Sequence, residues 1–136
     1  MNTQSLEEAF RKAFGVFWGA GSVEDFSDFF DEEALMIDED TPFVLSKAQF
    51  KDHLDFHLAG MWTQLEWLPR DSEFAVIDST GLVSTYFSFR GKPTDAGFRL
   101  RHGVCTLLCH WDGKAWRAGL LNIDPLLGHI VDASPT

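Results

Sequence analysis

Apolar positions recur at three- and four-residue spacing along the first part of the chain and alternate with polar ones along the rest, a change from helical to strand period. Leu6, Ala9, Phe10, Ala13, Phe14 and Phe17 share one helical face. Ser5-Leu6-Glu7-Glu8 has the form of a capping box, so the spacing predicts a first helix running to about Trp18 and stopped by Gly19 and Gly21. Ser22 to Asp25 gives a weaker cap, and Val23, Phe26, Phe29 and Phe30 supply the apolar face of a short second helix. Ala34 to Asp38 reads as a brief strand. Beyond the Thr41-Pro42 break, Ser46-Lys47-Ala48-Gln49 opens a third helix, whose stripe of Phe50, Leu54, His57, Leu58 and Met61 runs towards Gly60.

From Trp62 the pattern is of strands: Trp62 to Pro69, Glu73 to Asp78, Leu82 to Arg90, Phe98 to Trp111 and Trp116 to Ile123. Asp71-Ser72, Ser79-Thr80-Gly81, Gly91-Lys92-Pro93 and Asp112-Gly113 supply the turns, the last a hairpin signal. Helices followed by a run of strands imply an α+β domain, with helices covering one face of an antiparallel sheet. The strand from Phe98 to Trp111 exceeds the usual five or six residues, so it must bend or bulge, with Gly103 as the expected hinge. A sheet bent that far around helices leaves a concave interior.

At 136 residues the chain is long enough for one domain with a substantial core. Thirteen Phe and five Trp beside a single Tyr exceed what a plain two-layer core needs, so some rings are expected to line a cavity. The net charge of −10 argues against nucleic acid, whose phosphates are bound by Lys and Arg. From the polar, acidic start "MNTQSLEEAF" no targeting leader is expected, and no apolar run is long enough to suggest a membrane-spanning helix. Cys105 and Cys109 lie four residues apart in one strand, roughly 13 Å at strand rise, too far for a disulfide. Free thiols suit the cytoplasm.

Two stretches resemble the nuclear transport factor 2-like superfamily. "GAGSVEDFSDFFDEEALMID", 19 to 38, is similar to its passage from second helix to first strand, and "CHWDGKAWRAGLLNID", 109 to 124, to its closing hairpin. The superfamily includes ketosteroid isomerases, SnoaL-like polyketide cyclases and scytalone dehydratase. The resemblance implies a cone of three helices packed into a strongly curved sheet over residues 1–136, with a pocket at the wide end and pairing into homodimers through the sheet's outer face. It also places Asp38 where the isomerases hold a general-base aspartate. Their oxyanion donors have no counterpart, because the position resembling the Tyr is Phe14 and the one resembling the second Asp falls near Thr106 or Leu107.

Histidine moves protons near neutral pH, so His57, on the apolar stripe of the third helix, and His102, on the long strand, join Asp38 as candidate catalytic residues. His53 and His57 form an H-x-x-x-H pair, but the Glu that follows the first His in zinc proteases is replaced by Leu54, and no metal site is expected. Alternation sets Phe98, Leu100, His102, Val104, Thr106 and Leu108 against Arg99, Arg101, Cys105, Leu107 and Cys109. It also groups Trp116, Ala118, Leu120, Asn122 and Asp124. Phe14, Trp62, Tyr86, Arg101, Asn122 and Asp124 are the candidate ligand contacts. The sequence has no nucleophile elbow and no phosphate-cradling glycine motif, so no nucleotide cofactor is expected. Two functions fit: a SnoaL-like pocket protein for a small apolar or aromatic molecule, with proton transfer of the isomerase, cyclase or dehydratase type, or a non-catalytic binding or dimerisation module whose cone is filled by side chains.

Overall fold

Asn2, not Ser5, begins the first helix. In the computed structural model, which describes residues 1–38, 44–56, 62–95 and 97–126, the Asn2 side chain accepts from the Ser5 amide and the Ser5 hydroxyl accepts from the Asn2 amide. The Ser5 hydroxyl also accepts from the Trp116 indole at 3.0 Å, which ties the helix start to the last strand. Helix α1 (Thr3–Phe14) tightens into a 3-10 turn (Gly15–Trp18) that stops at Gly19, whose φ of 78° needs no side chain. Helix α2 (Val23–Phe29) is capped by the Ser22 hydroxyl, and helix α3 (Lys47–Phe56) by the expected reciprocal bonds between Ser46 and Gln49. Residues 57–61, with His57, lie outside the described part. No helix among the described residues is long and apolar enough to cross a membrane.

The strands are β1 (Phe30–Ile37), β2 (Leu45–Ser46), β3 (Trp62–Ile77), β4 (Thr80–Pro93), β5 (Arg99–Trp111) and β6 (Trp116–Pro125). They form one curved, open sheet in the order β2-β1-β6-β5-β4-β3. The fold is α+β, as expected, but the sheet is mixed: β1 runs parallel to β6, and the other pairs are antiparallel. Alternate residues are buried along the strands, so the helices cover one face, here called inward, and leave the other outward. The inward face and the helices share a core of rings, with Phe14 within 6 Å of Phe10, Phe17, Phe26 and Trp67, and Trp67 stacked on Phe87 at 5.1 Å.

β1 begins at Phe30 rather than Ala34, and Gly91-Lys92-Pro93, expected as a turn, continues β4 in register with β3. Three further departures have local reasons. Asp71-Ser72 does not divide two strands but forms a bulge within β3, with Asp71 at φ 52°. The irregular backbone is held by Thr85, 1% exposed, whose hydroxyl lies 2.7 Å from Ser72 Oγ and 3.2 Å from the Arg70 carbonyl. Thr85→Val keeps the shape and removes the bond, so urea unfolding should show a loss of about 1–3 kcal/mol with little change in slope.

Gly103 is not a hinge: β4 and β5 pair without a break across it, Phe87 opposite Gly103. Its missing side chain has another cause, since a Cβ there would come within 2.5 Å of both the Asp124 carbonyl and the Phe87 ring. The faces of a strand exchange at Gly119, in β6. Leu108 pairs with Leu120 but Cys109 with Ala118, so Gly119 is an extra residue in β6. Trp116 and Ala118 therefore point inward, whereas Leu120, Asn122 and Asp124, expected on the same side as them, point outward.

The four residues between Trp111 and Trp116 close the β5–β6 hairpin. Asp112 Oδ1 accepts from the amides of Lys114 and Ala115 at 2.8 Å, and these bonds hold its carboxyl below the usual carboxylate range.

Candidate functional site

Along β1, Ala34 and Met36 are buried while Leu35 and Ile37 are exposed, so the next residue, Asp38, turns towards the interior at the end of the strand. Strand pairing places Ile37 beside Asn122 and Cys105 beside Ile123, which brings Asp38 to the inward side near Cys105. Helix α3 packs across this strand end and buries Phe50 and Leu54. Between them in sequence stands His53, its ring 6.1 Å from that of Phe50. Its Nε2 lies 3.5 Å from Asp38 Oδ2, with the carboxylate 12% and the imidazole 25% exposed.

An imidazole 3.5 Å from a mostly buried carboxylate is a pair between which a proton can pass. The separation is longer than a well-formed hydrogen bond, and such contacts tighten when a ligand closes the site. The sequence singles out Asp38 but not the imidazole beside it. In the sequence His53 is marked only as half of an H-x-x-x-H pair, and the contact depends on how α3 lies over β1. Helical period alone does not encode that packing.

Behind Asp38 the wall is apolar and unreactive. Burial pushes the Cys105 thiol strongly up, and the charges of Asp38 and Cys109 add to this. Burial, then Asp31, raises Cys109 to about 12. Both cysteines are free, as expected, and neither is a ready nucleophile at neutral pH.

The sign of the stability effect follows from which state holds the proton. Below the ordinary thiol value of 9.0 both folded and unfolded chains are protonated, and above it only the folded chain stays so. Stability should therefore be complete below pH 9 and fall as pH rises, by about 1.4 kcal/mol per unit for each thiol. Cys109→Ala should lessen that slope by about the same amount in urea titrations from pH 9 upward.

The other candidates divide between the two faces. Arg101, half-buried and opposite Phe89, lies on the same inward face as Cys105. Phe14 is 2% exposed and enclosed by rings, so in this conformation it belongs to the packing behind the site. Tyr86, His102, Asn122 and Asp124 stand on the outward face, across the sheet from Asp38. There His102 Nδ1 lies 3.2 Å from Ser88 Oγ and 3.4 Å from Arg70 Nη2, and the Asn122 amide donates to Asp124 at 2.8 Å. His57 and the Trp62 ring lie outside the described part.

A second acid–imidazole contact, Asp31 with His110, lies on the outward side and is substantially exposed. A small cleft between α2, α3 and β1, lined by Val23, Phe26, Phe30 and Phe50 with Lys47 and Lys51 at its edge, has room on the order of one water molecule. Among the described residues no three His, Cys, Asp or Glu side chains group to hold a metal ion.

No sequence family matches the chain, and no curated protein does. Solved structures match it closely in architecture. An uncharacterised protein with a cystatin-like fold from Caulobacter vibrioides superposes with a TM-score of 0.79 over 98% of this chain and 96% of its own, at 13% identity. A candidate aromatic ring hydroxylase from Novosphingobium aromaticivorans gives 0.76 over 92% and 89%, at 15% identity. A candidate dehydratase of the nuclear transport factor 2-like family from Streptomyces avermitilis gives 0.75 over 91% and 96%, at 15% identity. At such identities the shared property is the fold, and the reactions named for these proteins differ among themselves.

Proposed function

Because this chain has the fold of the nuclear transport factor 2-like superfamily, we propose that it binds a small apolar or aromatic molecule at the open end of the cone and moves a proton within it through Asp38 and His53. The contact of these two side chains at a mostly buried strand end is the observation that carries the reading. One member of the pair takes a proton from carbon beside a carbonyl, and the other delivers one: to another carbon in isomerisation, to the acceptor oxygen in cyclisation, or to the departing hydroxide in dehydration. The oxygen that gains charge needs a donor. With Phe14 lacking a hydroxyl and Leu107 inward where an acid would be needed, Arg101, half-buried on the inward face where Arg99 is exposed, is a cationic group suited to that role. The two free, buried cysteines support a cytoplasmic location.

The test uses 2-tetralone, an apolar aromatic ketone with acidic α-hydrogens, in heavy water. Binding is followed by protein NMR and α-exchange by the loss of the ketone proton signals. Faster exchange in the presence of the chain supports the reading. Absence of binding, or binding with exchange no faster than in buffer, counts against proton transfer.

The second outcome would favour a non-catalytic binding module, for which the ring-filled interior around Phe14 speaks. Under either reading we propose that the chain is a homodimer. Its outward face exposes Leu35, Leu82, Tyr86, Leu100 and Leu108, a broad apolar surface for a folded monomer to leave wet. Sedimentation equilibrium at micromolar concentration should give twice the chain mass, and a monomer there would contradict this part.

A further inference from the structure

The outward face is organised in rows that cross the strands. One row consists of Leu82 on β4, Leu108 on β5, Leu120 on β6 and Leu35 on β1. Another carries Arg70 on β3, Tyr86 on β4, Val104 on β5 and Asp124 on β6, with opposite charges at its two ends. Arg70 and Asp124 are both exposed. A guanidinium has five donors and a carboxylate accepts at both oxygens, so the contacts of Arg70 with His102 and of Asp124 with Asn122 leave each able to form a further pair.

Two identical sheets that meet face to face do so about a two-fold axis lying between them. An axis across the strands stacks each strand on its own copy, so β3 never meets β6 and Arg70 never meets the opposite charge. An axis along the strands, between β4 and β5, reverses the order of every row. Arg70 then faces the partner's Asp124, and Leu82 faces the partner's Leu108. That arrangement also keeps the two sets of strands near the aligned geometry of packed sheets.

Resting on the homodimer proposed above, we infer that two copies pair about an axis along β4 and β5, held in register by reciprocal ion pairs between Arg70 and the partner's Asp124. Leu82 and Leu108, with Tyr86 and Val104 in the neighbouring row, supply apolar area at the centre of the contact. The charged ends select one orientation, because juxtaposed like charges are costly where an interface excludes water.

The experiment is a charge exchange read by sedimentation equilibrium. Arg70→Asp alone and Asp124→Arg alone should each weaken the dimer by about tenfold or more. An equimolar mixture of the two variants should restore it, since every ion pair in the mixed dimer again joins opposite charges. Both substitutions lie at exposed positions, and circular dichroism checks that each variant is folded. A wild-type monomer would remove the homodimer itself. A wild-type dimer that the single substitutions leave unchanged, or that mixing fails to restore, would instead keep the dimer and overturn this register.

Discussion

Replacing Asp38 by asparagine should slow the exchange of 2-tetralone α-hydrogens by about 10²–10⁴-fold, the usual contribution of a positioned acid or base, while binding persists. Asparagine has the same shape and still offers an acceptor oxygen to His53, but it cannot take up a proton. The loss should therefore appear in the rate rather than in affinity. His53→Gln separates the roles. An equal loss makes the imidazole part of the proton path, and a smaller one makes it a positioning residue for the carboxylate. Unchanged exchange in Asp38→Asn would place the base elsewhere and end the proposal.

A single added carbon at Gly103 should destabilise the fold by about 3 kcal/mol, the upper end for overpacking. One of the two atoms it would meet, the Asp124 carbonyl, is backbone, so β5 and β6 must part where they are hydrogen-bonded. The other is the tip of the Phe87 ring, which can be shortened. Thermal unfolding of Gly103→Ala should occur roughly 10 °C lower, given a few degrees per kcal/mol for a domain of this size. Gly103→Ala combined with Phe87→Leu should lose less than the sum of the separate losses, because relief of the ring contact couples the sites. A Gly103→Ala variant as stable as the parent would show that the close approach is not tight in solution.

The helices were legible because their information is local. Caps at Ser22 and Ser46, a stop at Gly19 and apolar stripes at helical spacing act within a few residues, and the structure bears them out. The start of α1 was displaced by three residues, since Asn2 caps the helix by accepting from the Ser5 amide while the Ser5 hydroxyl accepts from the Asn2 amide, which makes Ser5 the third helical residue rather than the cap. The longer strands were found, β3 as two pieces and β1 and β4 too short, but not the two-residue β2 or the irregularities. A bulge such as that at Asp71-Ser72 depends on Thr85, which lies on the neighbouring strand and cannot be read from the bulged segment itself. The inversion at Gly119 had the same consequence for site residues, moving Asn122 and Asp124 to the opposite face from Trp116 and Ala118.

For the candidate site, sequence order led to Asp38 because a carboxylate closing an apolar strand resembles a known position. His53 escaped notice because its significance arises only when α3 crosses β1. His102 drew attention for its chemistry, yet unbroken alternation through Gly103 keeps it outward, against Ser88 and Arg70.

The sixth strand in sequence is the second neighbour from one edge, lying between the first strand and the fifth. During synthesis the first strand must therefore wait, paired at most with the two-residue strand beside it, until nearly all the rest of the sheet has left the ribosome. Asp38 sits at the end of that waiting strand. The nascent chain thus carries an unfinished seam, exposed to chaperones and to wrong pairings, and the wall that β5 and β6 place beside Asp38 is added only late in folding, when these distant strands close.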